Sequence, residues 1–403
     1  MNILILTRII TNDSNSIYNS YSNGILNNYP NSTTIIDYFD LYFKHGKRKF
    51  ENIILNLIQV NKIDMVFINF VSADMTFELS FIQTISKDAF LIMNFYDGEL
   101  FFEPVDRYYA QCADLVLIPG SNAFTYNYKL LNINSISTLS LFDTSIYKNL
   151  NLTKDIDISF VGDFTKKSRK DFISHLTDNG YKIELFGLGT KKGRLTFNEM
   201  VNIFNRSKIN LNFSDTMTNR TFDLNSNTDY SIVPKISTYI QQLKGRTIEV
   251  ALCGSFTLTQ SAFGIKELFN NEQIDTFKTK DELLDKIKYY LKNDQLREEK
   301  AMNAFNTATN KFDSTKQFKI ILDNITLNNR KEKTLYYDNS FISNFMTYHM
   351  LYLFNFLFKF EFSNFSEEFK LIKLSKIRFN SSYNHLRQQF KFQILNKFFR
   401  SKK

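Results

Sequence analysis

Five short apolar runs in the first 120 residues, NILILTRI, TTIIDYF, DMVFINF, AFLIMNFY and ADLVLIPG, are separated by stretches of helical spacing such as KRKFENIILNLIQVNK. Neighbouring parallel strands cannot be joined by a tight turn and need a crossover, so buried strands alternating with helices of about 10 to 15 residues imply a parallel sheet. The pattern predicts one doubly wound, Rossmann-like α/β domain over residues 1–145. A polar run, YKNLNLTKDID, then predicts a hinge at 146–154.

The alternation restarts beyond it. DISFVGDF reads as a strand, RKDFISHLTDNG as a helix closed by Gly180, KIELFGLG as a strand, TFNEMVNIFNRS as a helix and KINLNFSD as a strand. A loop rich in Asn, Asp, Ser and Thr from Asp215 to Asp229 leads to LKGRTIEVALCGSFTLT, a helix running into a strand. KDELLDKIKYYLKNDQLREEKAMNAF has apolar positions three and four apart and closes the half with helices. The second α/β domain is thus expected at 155–330, with an aromatic and basic helical extension at 331–403. Two such halves imply a cleft. Ligands of open α/β sheets bind beyond the carboxyl ends of the strands, so the loops after Phe164, Gly187 and Asp215 are where chemistry is expected.

A chain of 403 residues is too long for a single ordinary core, in keeping with two domains. Cys112 and Cys253 lie in different halves and form no disulfide framework, which fits a reducing, cytoplasmic setting. The amino terminus lacks the order of an export signal and reads as a buried strand, and no long run free of polar side chains predicts a membrane span. The net charge of +9 is localised: ten basic residues and no acidic one follow from Lys370, leaving 40 basic against 41 acidic before it.

Three stretches carry candidate chemistry. FVGDFTKKSRKDF places Gly162 after a strand and then Lys166, Lys167, Arg169 and Lys170 where a helix begins. Cations with helix-terminal N–H groups suit a diphosphate; a solvated basic turn is the alternative, although cations there oppose the helix dipole. FGLGTKKG, with Gly187 and Leu188, is either a plain turn or a place where backbone approaches a flat ligand, and it lacks the spacing of a dinucleotide or P-loop fingerprint. Arg246 and Glu249 are three apart on one helix, which allows a surface ion pair. The helix continues into VALCG, which must be buried, so Glu249 is expected at a cleft edge with hydroxyl or cation partners, such as the paired hydroxyls of a ribose.

ISFVGDF, KINLNFSD, QLKGRTIEVALCGSFTLT, GIKELF and DELLDKIKYYLKNDQLREEKA, in that order, resemble the donor half of the group 1 glycosyltransferases of the GT-B fold. The branch typified by spore-maturation-type proteins, with a pattern similar to KGR-x-x-E-x-x-x-CG-x-x-x-LT, is the nearest. The likeness covers roughly 155–312 well and the first 145 residues in pattern; the tail lies outside it. It implies two Rossmann-like domains facing a cleft, and transfer of a sugar from a UDP- or GDP-sugar to a glycan, lipid-linked or protein acceptor. Glu249 matches the ribose carboxylate, Gly254 and Ser255 the turn approaching the donor, and Arg246 a basic position facing it. Arg169 and Lys170 match the diphosphate pair, and Gly187 and Leu188 the segment that meets the base. The wider family often has a glutamate eight positions before the ribose carboxylate; this chain has Gln241, a departure that bears on donor sugar and rate.

The family meets leaving-group charge with Arg, Lys and helix termini instead of a metal, and no His/Asp/Glu spacing here suggests metal ligands or a further cofactor. Asp97, in NFYDGELFFE after the fourth strand, is a candidate general base, with a plain Asp-Gly turn as the alternative. His45, His175, His349 and His385 show no pairing and are expected to be structural or exposed. Other classes on the same architecture are a membrane-tethered, non-catalytic glycan- or nucleotide-binding protein and a sugar-nucleotide epimerase or phosphorylase. For 341–403 two readings stand: attachment to an anionic membrane surface or acidic partner, or a helical extension packed across the domains. Neither domain shows a nucleic-acid recognition motif.

Overall fold

A computed structural model describes residues 1–9, 17–216, 222–223, 228–229, 232–233, 240–327 and 333–373. β1 (Ile3–Thr7), β2 (Thr33–Asp37), β3 (Met65–Asn69), β4 (Phe90–Asn94), β5 (Leu115–Ile118) and β6 (Ser135–Ser137) form an all-parallel sheet in the order β2-β1-β3-β4-β5-β6. β7 (Ile156–Val161), β8 (Glu184–Phe186) and β9 (Ser207–Asn212) begin the second domain, and β10 (Phe222–Asp223) and β11 (Thr228–Asp229) make a small antiparallel hairpin. β12 (Thr257–Gln260) and β13 (Asp275–Phe277) complete a parallel sheet ordered β13-β12-β9-β7-β8. Both sheets reverse their winding once, between β1 and β3 and between β7 and β9, and each reversal opens a crevice at the carboxyl ends of those strands.

The strands read as continuous apolar runs because both faces are covered. Leu4, Leu6, Val66, Ile68, Leu91 and Met93 enter one core, while Ile3, Ile5, Met65, Phe67 and Ile92 enter the other. In β9 the two faces differ. Ile209 and Leu211 are apolar core, whereas Asn210 accepts from Ser159 Oγ at 3.1 Å and Asn212 Nδ2 donates to Thr259 Oγ1 at 2.8 Å.

Residues 314–323, grouped by sequence with the second domain, cross back to the first. Helix Ser314–Asp323 lies on helix Ile17–Asn28, with Phe318 beside Tyr21 at a ring separation of 5.5 Å. A Cβ on Gly24 would stand 2.8 Å from the Phe318 ring and from the Ser314 carbonyl, so the approach requires glycine.

Of the two readings of the tail, the described part favours packing, and on the first domain. Helix Asn339–Phe358 buries Phe341, Phe345, Met346, Tyr348, Met350, Tyr352, Leu353 and Phe356 in that core. The polar residues that interrupt its apolar run bind the domain. Asn355 Nδ2 donates to the Phe43 carbonyl at 3.1 Å, and fully buried His349 contacts the Met75 carbonyl at 3.0 Å and Glu368 at 2.9 Å. Glu368, on helix Phe362–Lys373, also accepts from Tyr42 OH at 2.5 Å. No helix among the described residues is long and apolar enough to cross a membrane. Most of the basic tail lies outside the described residues.

Candidate functional site

The crevice at the second winding reversal holds a pocket of about 330 Å³ whose lining includes Gly162, Lys166, Arg169, Leu188 and Arg246. Gly162 lines it and Gly187 packs against Gly162. Gly187 has φ +114°, and a Cβ there would lie 2.0 Å from the Gly162 carbonyl oxygen, so the carboxyl ends of β7 and β8 meet at this distance only with glycine. Helix Lys167–Asp178 starts beside them, and its N-cap residue Lys166 makes no side-chain capping bond.

Arg169 is almost buried; its Nε donates to Asp215 Oδ1 and its Nη1 to the Asp163 carbonyl, both at 2.9 Å. Lys166 Nζ donates to the Asp215 carbonyl at 2.8 Å and lies 3.4 Å from its carboxylate, with 11% of the side chain exposed. Burial pushes the Lys166 ammonium down to about 8, and Arg169 adds to the effect against the opposing pull of Asp215. Burial works against ionisation of Asp215, but Arg169 and Lys166 outweigh it and hold that carboxyl below its usual range. Two cations thus share one carboxylate at the mouth of an open pocket, an arrangement that favours an incoming anion.

Arg246 and Glu249 open the helix Arg246–Leu252 and are ion-paired. The Arg246 guanidinium lies over the Phe204 ring, 5.1 Å from its centroid. Glu249 is largely buried and accepts from Tyr147 OH at 2.9 Å. Tyr147 lies between β6 and β7, so the carboxylate is held from both sides, by its own helix and by the segment that connects the two sheets.

The first domain contributes acids from the loop after β4. Asp97 has a left-handed backbone (φ 55°) and accepts from Ser72 Oγ at 2.6 Å. Gln242 of the second domain spans to both Asp97 and Glu99, at 3.2 Å each, and Lys244 donates to Gln242 at 2.5 Å. Burial raises the Glu99 carboxyl and, with Asp97 and Glu99 nearby, raises Asp106 well above the usual range. The domains are clasped a second time where Ser121 Oγ and the Asn122 N–H, the latter at 2.7 Å, donate to Glu267.

Gly162, Arg169, Leu188 and Arg246 thus line one pocket, Gly187 abuts Gly162 and Glu249 pairs with Arg246 beside it, and Asp97 lies across the domain boundary. The structure sets three candidates apart. Lys170 is exposed on its helix and does not line the pocket. Gly254 and Ser255 line a different pocket with Asn149 or bond Lys154 there, because they follow the carboxyl end of the helix and precede β12, at the amino end of a strand. Lys166 is one of the four cations read from the sequence as suited to a diphosphate, whereas Tyr147, Gln242 and Lys244 were not singled out by sequence. Those three become visible only once the domains are docked. Gln241 is exposed and bridges Asp215; its neighbour Gln242 is the one that faces the acids. Among the described residues no group of three or more His, Cys, Asp or Glu side chains is arranged to hold a metal ion.

A family model described as Glycosyl transferase-like matches residues 167–323. No curated protein matches the sequence. Among solved structures, HepE of Anabaena in complex with UDP is 13% identical, aligns over 81% of this chain and 100% of its own, and has a TM-score of 0.52. Sucrose-phosphate synthase of Thermosynechococcus elongatus gives 10% identity, 80% and 98% coverage and a TM-score of 0.55. A glycosyltransferase of Rickettsia africae gives 11%, 80% and 99%, and 0.53. The chain accordingly has the GT-B fold, two parallel-sheet α/β domains with a helical carboxyl-terminal part, and its second half carries the Glycosyl transferase-like sequence pattern.

Proposed function

We propose that this protein is a glycosyltransferase that moves a sugar from a nucleoside-diphosphate sugar to a glycan, lipid-linked or protein acceptor, without a metal ion. The observation that carries the reading is the pocket at the β7–β9 reversal, where Lys166 and Arg169 share the Asp215 carboxylate and Glu249 lies behind Arg246. HepE, similar in fold, is described in complex with UDP, with UDP and glucose, and with UDP-glucose, which supports the same ligand class here.

In this reading Glu249 accepts from the ribose hydroxyls, the turn at Gly187 and Leu188 approaches the base, and Lys166 with Arg169 faces the diphosphate. Negative charge grows on the diphosphate as the bond to the sugar breaks, and these fixed cations stabilise it more than the ground state. The acceptor enters from the first domain, and Asp97, held by Ser72 and Gln242, takes the proton of its hydroxyl. The KGR-x-x-E pattern supports the spore-maturation-type branch, and a cytoplasmic site of action fits two free, buried cysteines. The basic residues beyond Lys370 favour a peripheral contact with an anionic membrane surface.

The test is incubation with a panel of UDP- and GDP-sugars and acceptors while nucleoside diphosphate release is followed. Release that depends on acceptor and disappears in Arg169→Met supports transfer. Nucleotide binding without turnover across the panel would replace it with a binding protein on the same scaffold.

A further inference from the structure

A second pocket, of about 290 Å³, lies at the opposite pole of the second domain, at the amino ends of β7, β9 and β12. Its lining includes Lys154, Lys208, Arg297, Glu298, Asn149 and Gly254. Lys154 is on the hinge and Arg297 on helix Asp294–Lys311, so the pocket joins the interdomain connection to the body of the domain.

Its cations are unequally paired within the protein: Arg297 has Asp294 and Lys208 has Asp157, whereas Lys154 has no carboxylate ion pair among the described residues. The hydroxyl of Ser255, at 2.7 Å, is the partner of Lys154, and no carboxylate pairs with it among the described residues. Arg297 is 3% exposed; its Nη1 serves the Tyr290 carbonyl at 2.8 Å and Asp294, on the solvent side, at 2.6 Å. Neither its Nε nor its Nη2 has a protein partner among the described residues, and neither is sealed from solvent. Lys208 is occupied by Asp157 at 2.7 Å, and among the described residues Glu298 forms no ion pair with Lys154 or Arg297, although its charge acts on Lys154. Two cations, one planar and one a point charge, thus face one partly desolvated pocket with free donors. Burial, with Arg297 next in weight and against the weaker opposing pull of Cys253 and Glu298, depresses the Lys154 ammonium to about 8.

We infer that the pocket between Lys154 and Arg297 is a phosphate-binding site, separate from the proposed donor pocket, whose occupant ties the hinge to helix Asp294–Lys311. A guanidinium edge beside an ammonium suits the oxygens of a phosphate group, and the Asn149 amide adds a neutral donor at the rim.

The full chain is titrated calorimetrically with inorganic phosphate at pH 7, as wild type, as Lys166→Met, which disables the donor pocket, and as Lys154→Met. Phosphate binding that persists in Lys166→Met and weakens at least tenfold in Lys154→Met supports the site. Binding that survives in Lys154→Met, or vanishes in Lys166→Met, overturns it. A second measurement needs no variant to fold. The titration of Lys154, followed by NMR of isotopically methylated lysines, should move up by at least one pH unit with saturating phosphate, and an unmoved titration refutes the site.

Discussion

If the proposed donor pocket takes a nucleoside diphosphate, Lys166 should make that binding depend on pH with a sign and size that follow from its burial. In the free protein its ammonium titrates near 8, against about 10.4 for a solvated lysine. A diphosphate at the pocket mouth favours the charged form; one unit charge about 4 Å away contributes about 4 kcal/mol at an effective dielectric of 20, enough to restore the ordinary lysine value. Above pH 8 the binding event must therefore take up a proton, and affinity falls as pH rises. Between pH 7 and 9.5 UDP should bind about 30-fold more weakly, a change of about 2 kcal/mol. Proton uptake should be about 0.1 per site at pH 7, 0.5 at pH 8 and 0.9 at pH 9. The phosphate's own second ionisation, near 6, lies outside that window. Calorimetric titration in two buffers of different ionisation enthalpy measures affinity and uptake together. Stability of the ligand-free protein moves the other way: a lysine depressed by folding binds fewer protons folded than unfolded between about pH 8 and 10, so its unfavourable contribution is relieved as pH rises through that interval. Lys166→Met should flatten the affinity profile. An affinity in the wild type that is constant from pH 7 to 9.5, or a slope that survives in Lys166→Met, would refute the reasoning.

Glu249→Gln should weaken UDP by about 1.5 to 3 kcal/mol and bind UDP and 2′-deoxy-UDP alike; a variant that still distinguishes them by calorimetry places the ribose elsewhere. Asp97→Asn should cut acceptor-dependent nucleoside diphosphate release by about 100-fold or more while leaving UDP affinity within about twofold, and unchanged turnover would remove Asp97 from the chemistry. Gly187→Ala should cost about 2 to 4 kcal/mol in denaturant unfolding and abolish UDP binding, because its methyl would meet the Gly162 carbonyl at 2.0 Å; a wild-type midpoint contradicts the packing of β7 on β8. Glu368→Ala should destabilise the protein by about 2 to 6 kcal/mol by stranding Tyr42 OH and His349 Nδ1, and loss of only the last helix in hydrogen exchange, with the first domain intact, would show the tail to be separable.

What the sequence made legible was the part of the fold whose physics is local. Runs such as ILIL and MVFIN are buried whichever neighbours they find, so the order of strands and helices followed from composition and spacing. β6 and β13 were not visible: SIS and DTF are three residues each, with polar side chains, and are strands only because β5 and β12 offer edges to pair with. The site shows the same division. Glycines 162 and 187 could be placed at strand ends, but that one's missing Cβ makes room for the other's carbonyl depends on strand pairing. Parity decided between Gln241 and Gln242. The bridge of Gln241 to Asp215 leaves its side chain exposed, and successive side chains in extended backbone face opposite ways, so the next residue meets Asp97 and Glu99. The family resemblance puts Gly254 and Ser255, five and six residues after Glu249, at the turn approaching the donor. A helix advances about 1.5 Å per residue along one direction, here from the carboxyl-end crevice to the start of β12. The last turn of the helix to Leu252 and the turn at Cys253 lead the chain away from the crevice, so Gly254, close in sequence to a cleft residue, lies beside Lys154.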